Sequence, residues 1–404
     1  MADPSPEGWN RVRLYASWMR EVNSDDWFVL EEGTLLKLRL NSPAGGWFPA
    51  LQKLRWIFTE SNLPYADLFF SPQLRKIYIN TALVEGTRVP RDILPTVASA
   101  IATLPTSTLQ SLRVEVGRDG PRTHFKDSFS SLVLRCGPSL TKFTRPAPLS
   151  DAAINHLVHL PHLCCWGIND PPPNYSAPSL PLPLSFPPLT QFVLGGGAGR
   201  GWISLLARLA AGVTPLSKTR ESLETLNIAG LPNPIIDVSF VSPIQMFHNL
   251  AFLNVVASCY DDRCAFELNN DNVAELAKAL PHLSFLCLGH PCSKSTCATT
   301  IACLLPISCC CLELESLEIH FNTAKIVEDF KSVSTDPQFE RLRSLPKCSL
   351  SRLELWQAPL ALDEHGIETV ANGMVIVFPL LECCIGLGKV WGEVSSRISE
   401  FRKI

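Results

Sequence analysis

The sequence predicts an α/β solenoid of about twelve irregular repeats, with a curved parallel sheet on the concave side and helices on the convex side. Three observations predict it. A short phrase recurs: a large apolar residue or serine, then proline, any residue and leucine. Apolar residues tend to follow that leucine three and five positions later. The leucines advance by 23 to 36 residues, which is room for a strand, a turn and a helix.

The phrase marks where each predicted strand begins. It occurs as "FPAL" ending at Leu51, "SPQL" at Leu74, "LPHL" at Leu163 and Leu283, "FPPL" at Leu189 and "FPLL" at Leu381. Proline disfavours helical geometry in the residue before it and is tolerated at the first position of a strand. We therefore expect it to end one helix and open the next strand.

The apolar triples give the predicted core positions. Ten are complete: Leu51/Leu54/Trp56, Leu74/Ile77/Ile79, Leu109/Leu112/Val114, Leu163/Trp166/Ile168, Leu189/Phe192/Leu194, Leu223/Leu226/Ile228, Leu250/Leu253/Val255, Leu283/Leu286/Leu288, Leu314/Leu317/Ile319 and Leu350/Leu353/Leu355. Two are degenerate, Leu140/Phe143 with Arg145 in the last position and Leu381/Cys384 with Gly386. Single triples are common by chance in so apolar a chain, so the phrase and the spacing carry the prediction.

Helices are predicted between strands. Two segments show them, "LSDAAINHLVHL" before Leu163 and "LNNDNVAELAKAL" before Leu283. Ser150 and either Asn270 or Asp271 stand where an N-cap belongs, because their side chains can accept the free N–H groups of a first helical turn.

These features resemble leucine-rich repeats of the pattern L-x-x-L-x-L in long variable units. More narrowly, the chain is similar to the repeat region of fungal, basidiomycete-type F-box proteins. That likeness lies in "WNRVRLYASWMREV", "WFPALQKLRW", "FFSPQLRKIYI", "CGPSLTKFTRPAPLSDAAINHLVHLPHL" and "NDNVAELAKALPHLSFLCLGH". The asparagine or cysteine that usually follows the last core leucine is mostly missing, and "LESLEIHFN" is the clear exception. No F-box is visible before Trp9, so the chain is expected to begin where that module would end.

The resemblance implies a non-catalytic module that binds a protein target on its concave face, as the substrate-binding repeats of a cullin–RING ubiquitin ligase adaptor do. Contact with the ligase would need an F-box upstream. A free-standing interaction scaffold is the alternative, and a nucleotide-binding enzyme the remote one. The predicted domains are an N-terminal cap with a first degenerate repeat over residues 1–48, the repeats over 49–386 and a C-terminal capping helix over 387–404.

Composition excludes several classes of protein. Apolar residues make up 46% of the chain and charged residues 18%, which is typical of a folded protein. The net charge of −3 predicts no general attraction to nucleic acid or to an anionic membrane. The sequence predicts neither a signal peptide nor a membrane-spanning segment. Fifteen cysteines without an export signal favour a reducing compartment, the cytoplasm or the nucleus.

Glycines Gly195 to Gly201, in "FVLGGGAGRGWISLLARLA", resemble a phosphate-binding loop. The P-loop pattern requires lysine and then serine or threonine after its last glycine, but Trp202 and Ile203 follow Gly201. The dinucleotide pattern fails as well, because Arg200 occupies the third glycine position. We expect a structural turn that leads to a helix in "WISLLARLA", and no cofactor.

Other candidate chemistry is weak. Four candidate metal ligands are close in sequence: His159, His162, Cys164 and Cys165. They lie across a predicted helix–strand junction, so their side chains should point in different directions and no metal site is expected. The segment Pro171–Pro188 fits either a polyproline ligand or, as we favour, a long loop between repeats.

The third and fifth positions of each unit are expected to face the concave surface, because side chains alternate along a strand. From these positions we predict the partner-binding residues Lys53, Arg55, Lys76, Tyr78, Arg113, Phe252, Asn254, Phe285, Glu318, Arg352 and Glu354. The early units present basic residues and the late units more acidic ones. The middle units present a mixture that includes apolar residues, and Cys287 is also expected to be exposed there. Phe252 and Phe285 should lie side by side as an aromatic anchor.

Overall fold

The computed structural model describes residues 5–23, 32–43, 46–57, 62–80, 104, 106–115, 126–145, 149–169, 188–195, 206, 219–232, 235–258, 265–289, 297–320, 322–323, 326–335, 347–356, 362–386 and 389–402. The chain forms two compact units. The N-terminal unit holds the described residues up to 169, and the C-terminal unit those from 188 onward.

Strands of the N-terminal unit are parallel and pair in chain order. They are β1 (Glu21–Asn23), β2 (Lys53–Ile57), β3 (Lys76–Asn80), β4 (Ser111–Glu115), β5 (Lys142–Arg145) and β6 (Cys165–Asn169). Equivalent positions of neighbouring repeats are paired: Leu54 lies beside Ile77, and Ile77 beside Leu112. The repeat positions therefore form straight rows across the unit.

The C-terminal unit has the same organisation. Its main strands are β7 (Gln191–Gly195), β8 (Thr225–Pro232), β10 (Phe252–Ser258), β12 (Phe285–Gly289), β13 (Ser316–His320), β14 (Arg352–Trp356) and β15 (Cys383–Gly386), all parallel and paired in that order. Two short strands, β9 (Ile235–Ile236) and β11 (Ala265–Phe266), pair as a separate parallel ribbon.

Helices are found before β1, between many of the strands and after β15. The α-helices are α1 (Pro6–Trp18), α2 (Glu32–Leu40), α3 (Lys126–Arg135), α4 (Asp151–Val158), α5 (Thr219–Ser222), α6 (Val238–Val241), α7 (Asn270–Ala279), α8 (Leu304–Cys310), α9 (Ile326–Thr335), α10 (Glu364–Val377) and α11 (Lys389–Phe401). Shorter 3₁₀ helices are Leu63–Phe69, Ile244–Met246 and Ile301–Cys303.

The predicted core is confirmed. Every residue of the ten complete triples is buried, none more than 4% exposed. The degenerate repeats also form strands, β5 and β15, with Phe143 and Cys384 buried. The α/β repeat class follows from these parallel strands and the intervening helices.

A tight turn precedes most of the main strands and explains the recurring phrase. The N–H of Leu51 donates to the carbonyl of Phe48 at 3.1 Å, and that of Leu74 to Ser71 at 3.1 Å. Pro49 is the second residue of its turn, where its fixed φ suits a type I geometry. The proline was expected at the first position of the strand; that expectation was wrong, because β2 begins only at Lys53.

One predicted helix cap is confirmed and the other is displaced by one residue. The Ser150 hydroxyl accepts the N–H of Ala153 at 3.3 Å, as predicted. The cap of α7 is Asn269, whereas Asn270 or Asp271 was expected. Asn269 accepts the N–H of Asn272 while the Asn272 side chain accepts the N–H of Asn269, and this reciprocal pair fixes the helix start.

Two strand features were not predicted. Strand β1 precedes the first recognisable repeat and pairs with β2, and the ribbon of β9 and β11 lies between repeats. Two predictions fall outside the described residues: the glycine turn beyond Gly195 with its following helix, and the proline-rich segment before Pro188.

Candidate protein-binding face

Each unit presents one face of its strands on which most side chains are exposed or half-buried; Cys165 and Cys287 are buried there. We call it the open face: the side that carries the third and fifth positions of each repeat, opposite the core triples. Parallel sheets are usually covered on both faces. Here Lys53, Arg55, Lys76, Arg113 and Lys142 are exposed in the N-terminal unit, so its open face is accessible to a partner.

The centre of the N-terminal open face is a tyrosine between two arginines. Arg55, Tyr78 and Arg113 are register neighbours on β2, β3 and β4. The guanidinium carbon of Arg55 lies 4.8 Å from the centroid of the Tyr78 ring, and that of Arg113 lies 5.1 Å from it. These are cation–π distances, and the two arginines approach from opposite neighbouring strands.

Glu115 fixes this arrangement. Its carboxylate accepts the Tyr78 hydroxyl at 2.6 Å and the Arg113 Nε–H at 2.9 Å. Burial, together with the hydrogen bond to Glu115, raises the pKa of Tyr78 to about 12, although Arg113 and Arg55 oppose the shift. Tyr78 is therefore a protonated donor at neutral pH, and the three charged side chains around it are held in one geometry.

The C-terminal open face carries an aromatic pair. The rings of Phe252 and Phe285 are stacked, with centroids 4.4 Å apart and planes 8° apart. They are register partners on β10 and β12, and both side chains are half-buried. Beside them the Asn254 amide donates to the Asn227 side-chain oxygen at 3.1 Å. The predicted side-by-side placement of the two phenylalanines is what the structure shows.

The later strands of this unit are more acidic. Glu318 and Glu354 are register partners on β13 and β14, and Arg352 pairs with Glu354 at 2.9 Å. Burial raises the pKa of Glu318, and the neighbouring Glu354 charge adds to the effect. Cys287 was expected on the open surface, but this expectation was wrong. Its thiol is buried and hydrogen-bonded to Glu318, and burial raises its pKa.

The structure thus brings the predicted site residues into two groups, one in each unit. The first group is Lys53, Arg55, Lys76, Tyr78 and Arg113; the second is Phe252, Asn254, Phe285, Glu318, Arg352 and Glu354. The sequence reasoning missed Glu115 and Glu21, of which Glu21 pairs with Lys53 at 2.9 Å. Glu115 lies two residues after Arg113 on β4, so extending the same alternation by one more position would have identified it.

Within the described ranges, no three His, Cys, Asp or Glu side chains are grouped so as to hold a metal ion. Two histidines of α4 and its C-terminal end contact backbone carbonyls: His159 Nδ1 lies 2.6 Å from the Asn155 carbonyl, and His156 Nε2 lies 2.9 Å from that of Cys136. None of the described helices is both long and apolar enough to cross a bilayer.

No protein-family model matches the chain, and no curated protein matches it. Among solved structures, it is similar to the yeast complex of Rad7 and Elc1, with 14% identity and a TM-score of 0.47 over 94% of this chain and 83% of that chain. It is also similar to the Drosophila complex of Toll and Spatzle, with 11% identity and a TM-score of 0.34 over 76% of this chain and 38% of the other.

The strand pairing itself defines the class. Parallel strands that recur in chain order, most of them preceded by a tight turn with a buried leucine, are the architecture of leucine-rich-repeat proteins. The candidate site of this chain is the open face of such strands.

Proposed function

We propose that this chain is a non-catalytic protein-recognition module that holds a protein target against the open face of its strands. The stacked pair of Phe252 and Phe285 carries the proposal. Two half-buried aromatic rings on a rigid sheet have little conformational entropy to lose on binding, and such residues dominate binding energy at protein interfaces.

The surroundings of the pair suit a protein partner. Asn254 and Asn227 place amide groups next to the rings, where they can pair with a peptide backbone. Arg352 and Glu354 add charged groups farther along the same face. An apolar centre with polar groups around it is the usual anatomy of a protein interface.

The finer proposal concerns the cellular role. The sequence motifs that resemble fungal F-box proteins support a role as the substrate-binding part of a cullin–RING ubiquitin ligase adaptor, in the cytoplasm or the nucleus. The second candidate is an interaction scaffold without a ligase role.

The experiment is affinity capture with the whole chain, followed by mass spectrometry. Phe252→Ala combined with Phe285→Ala removes the aromatic pair. We expect at least one specifically captured protein to be lost from this variant, because truncation of a hot-spot residue costs about 2 kcal/mol or more.

The matched control is Leu134→Ala with Leu380→Ala, which removes two exposed apolar side chains outside the strands. It should capture the same proteins as the wild type. If the phenylalanine variant also captures an unchanged set, the proposal is wrong. A cullin adaptor protein among the captured proteins supports the ligase role, and its repeated absence beside other specific partners supports the scaffold.

A further inference from the structure

Exposed cations in the N-terminal unit form two rows across neighbouring strands. Lys53, Lys76 and Lys142 occupy the same row on β2, β3 and β5, with Ser111 between the last two. The adjacent row holds Arg55 and Arg113. Three strand spacings separate β2 from β5, so the cations extend over about 14 Å.

The balance of charge on this face is positive. Among the described residues of this face, the cations are Lys53, Arg55, Lys76, Arg113 and Lys142, and the carboxylates of Glu21 and Glu115 are paired with Lys53 and Arg113. Among the described residues, no carboxylate lies within ion-pairing distance of Lys76 or Lys142. The chain as a whole has a net charge of −3, so this positive region is a local feature.

The arginines are ordered before any partner arrives. Arg113 is held by Glu115 and by the Tyr78 ring, and Arg55 is held on the other side of that ring. A guanidinium group that is already ordered loses less entropy when it binds a carboxylate.

We propose that the open face of the N-terminal unit binds an extended acidic segment of a protein partner, lying across strands β2 to β5 with carboxylates directed at the two rows of cations. This inference rests on the proposed function and names the partner's chemistry for one of the two units. A strand-like peptide advances about 6.6 Å between side chains on the same side, so a stretch of about six residues covers the 14 Å of cations.

Two other anions fit less well. A single phosphate group requires donors that converge on one point, but these cations are spread along rows. Single-stranded nucleic acid binds by stacking bases on aromatic faces, and here both neighbouring strands place a guanidinium group against the Tyr78 ring. A protein segment with Asp or Glu at alternate positions requires neither feature.

The test measures binding of fluorescent peptides to the full chain by anisotropy. The probe is a peptide of about eight residues with glutamate alternating with serine, and the neutral comparison has glutamine in place of glutamate. We expect the glutamate peptide to bind and the glutamine peptide to bind about tenfold more weakly or not at all, with the difference shrinking as salt increases.

Lys76→Glu combined with Lys142→Glu reverses two exposed charges of the lysine row. We expect it to weaken glutamate-peptide binding by about tenfold or more, since like charges then face each other. The matched control is Lys126→Glu with Arg135→Glu, the same change of charge on exposed positions of α3. It should bind within about twofold of the wild type.

Three results would overturn the proposal: no binding of the glutamate peptide, equal weakening by both double variants, or tighter binding of an oligothymidine probe that depends on Lys76 and Lys142. Each is distinguishable from failure of the proposed function. Capture of a partner that depends on Phe252 and Phe285 would still support protein recognition by the C-terminal unit.

Discussion

Tyr78 connects three charged side chains through one ring and one hydroxyl. Its ring lies against Arg55 and Arg113, and its hydroxyl donates to Glu115, which in turn holds Arg113. The ring and the hydroxyl can be separated experimentally, because phenylalanine keeps the ring beside both arginines and removes the hydroxyl, with its hydrogen bond to Glu115 and the longer one that it accepts from Asn80.

For Tyr78→Phe we expect a loss of about 1 kcal/mol in the free energy of unfolding at pH 8, the usual net value of a hydrogen bond. The folded state raises the pKa of Tyr78 to about 12, from about 10 in an unfolded chain. The stabilising contribution is therefore complete below pH 10 and is lost as the pH rises toward 12. Urea unfolding of both proteins at several pH values measures it. A stability difference that stays constant up to pH 12 would contradict this assignment.

Sequence predictions for single residues were correct where burial follows the alternation of side chains along one strand. They were wrong where a residue on the adjacent strand determines burial. The alternation correctly separated buried Leu54 and Trp56 from exposed Lys53 and Arg55. The alternation also placed Cys287 on the surface. The adjacent strand, however, supplies Glu318, whose carboxylate accepts a hydrogen bond from the Cys287 thiol. A one-dimensional pattern does not contain that cross-strand contact.

At the scale of elements, two glycines within C-terminal helices have opposite surroundings. A Cβ added to Gly373 in α10 would overlap the ring of Phe330, which is buried. A Cβ added to Gly392 in α11 would meet nothing within 4 Å. Gly373 therefore permits close packing of α9 against α10, whereas Gly392 only weakens its helix.

We predict that Gly373→Ala destabilises the protein by about 1–3 kcal/mol through overpacking. Gly392→Ala is the matched control and should stabilise it by about 0.5–1 kcal/mol through helix propensity. Chemical denaturation measures both. Stabilisation by both substitutions would show that the contact between Gly373 and Phe330 is not tight.

Most elements were predictable because the repeats carry local signals, namely a complete apolar triple in ten units, the turn phrase in six and a helix cap in two. Strand β1 was not, because Glu21–Asn23 is too short to show a triple and forms through its pairing with β2. The ribbon of β9 and β11 has only two residues in each strand and likewise depends on pairing. Elements defined by partners distant in sequence leave a weak local pattern.

At the scale of the molecule, repeats touch mainly their neighbours, so stability should vary along the chain. The last described strand, β15, is covered by a helix. Helix α11 packs on β15, and its Trp391 is 1% exposed and lies against Gly386. Without this helix, the buried side of β15 would be open to solvent.

We predict that Trp391→Ala destabilises the last repeats by about 3–5 kcal/mol. Hydrogen exchange should lose protection first in β14 and β15, while β2 to β4 keep theirs. Trp18→Ala is the control, because the Trp18 side chain is 65% exposed and should leave exchange unchanged. A uniform loss of protection along the chain would instead indicate a single cooperative unit.

The division of each strand into a core side and an open side has an evolutionary consequence. Folding constrains the residues of the core side, and under the proposed function a partner constrains those of the open side. Because the two sets alternate along each strand, mutation of the open side would redirect binding specificity while the leucines that build the scaffold stay fixed. On that proposal, new targets arise by drift at positions such as Lys76, Phe252 and Arg352 without a passage through misfolded intermediates.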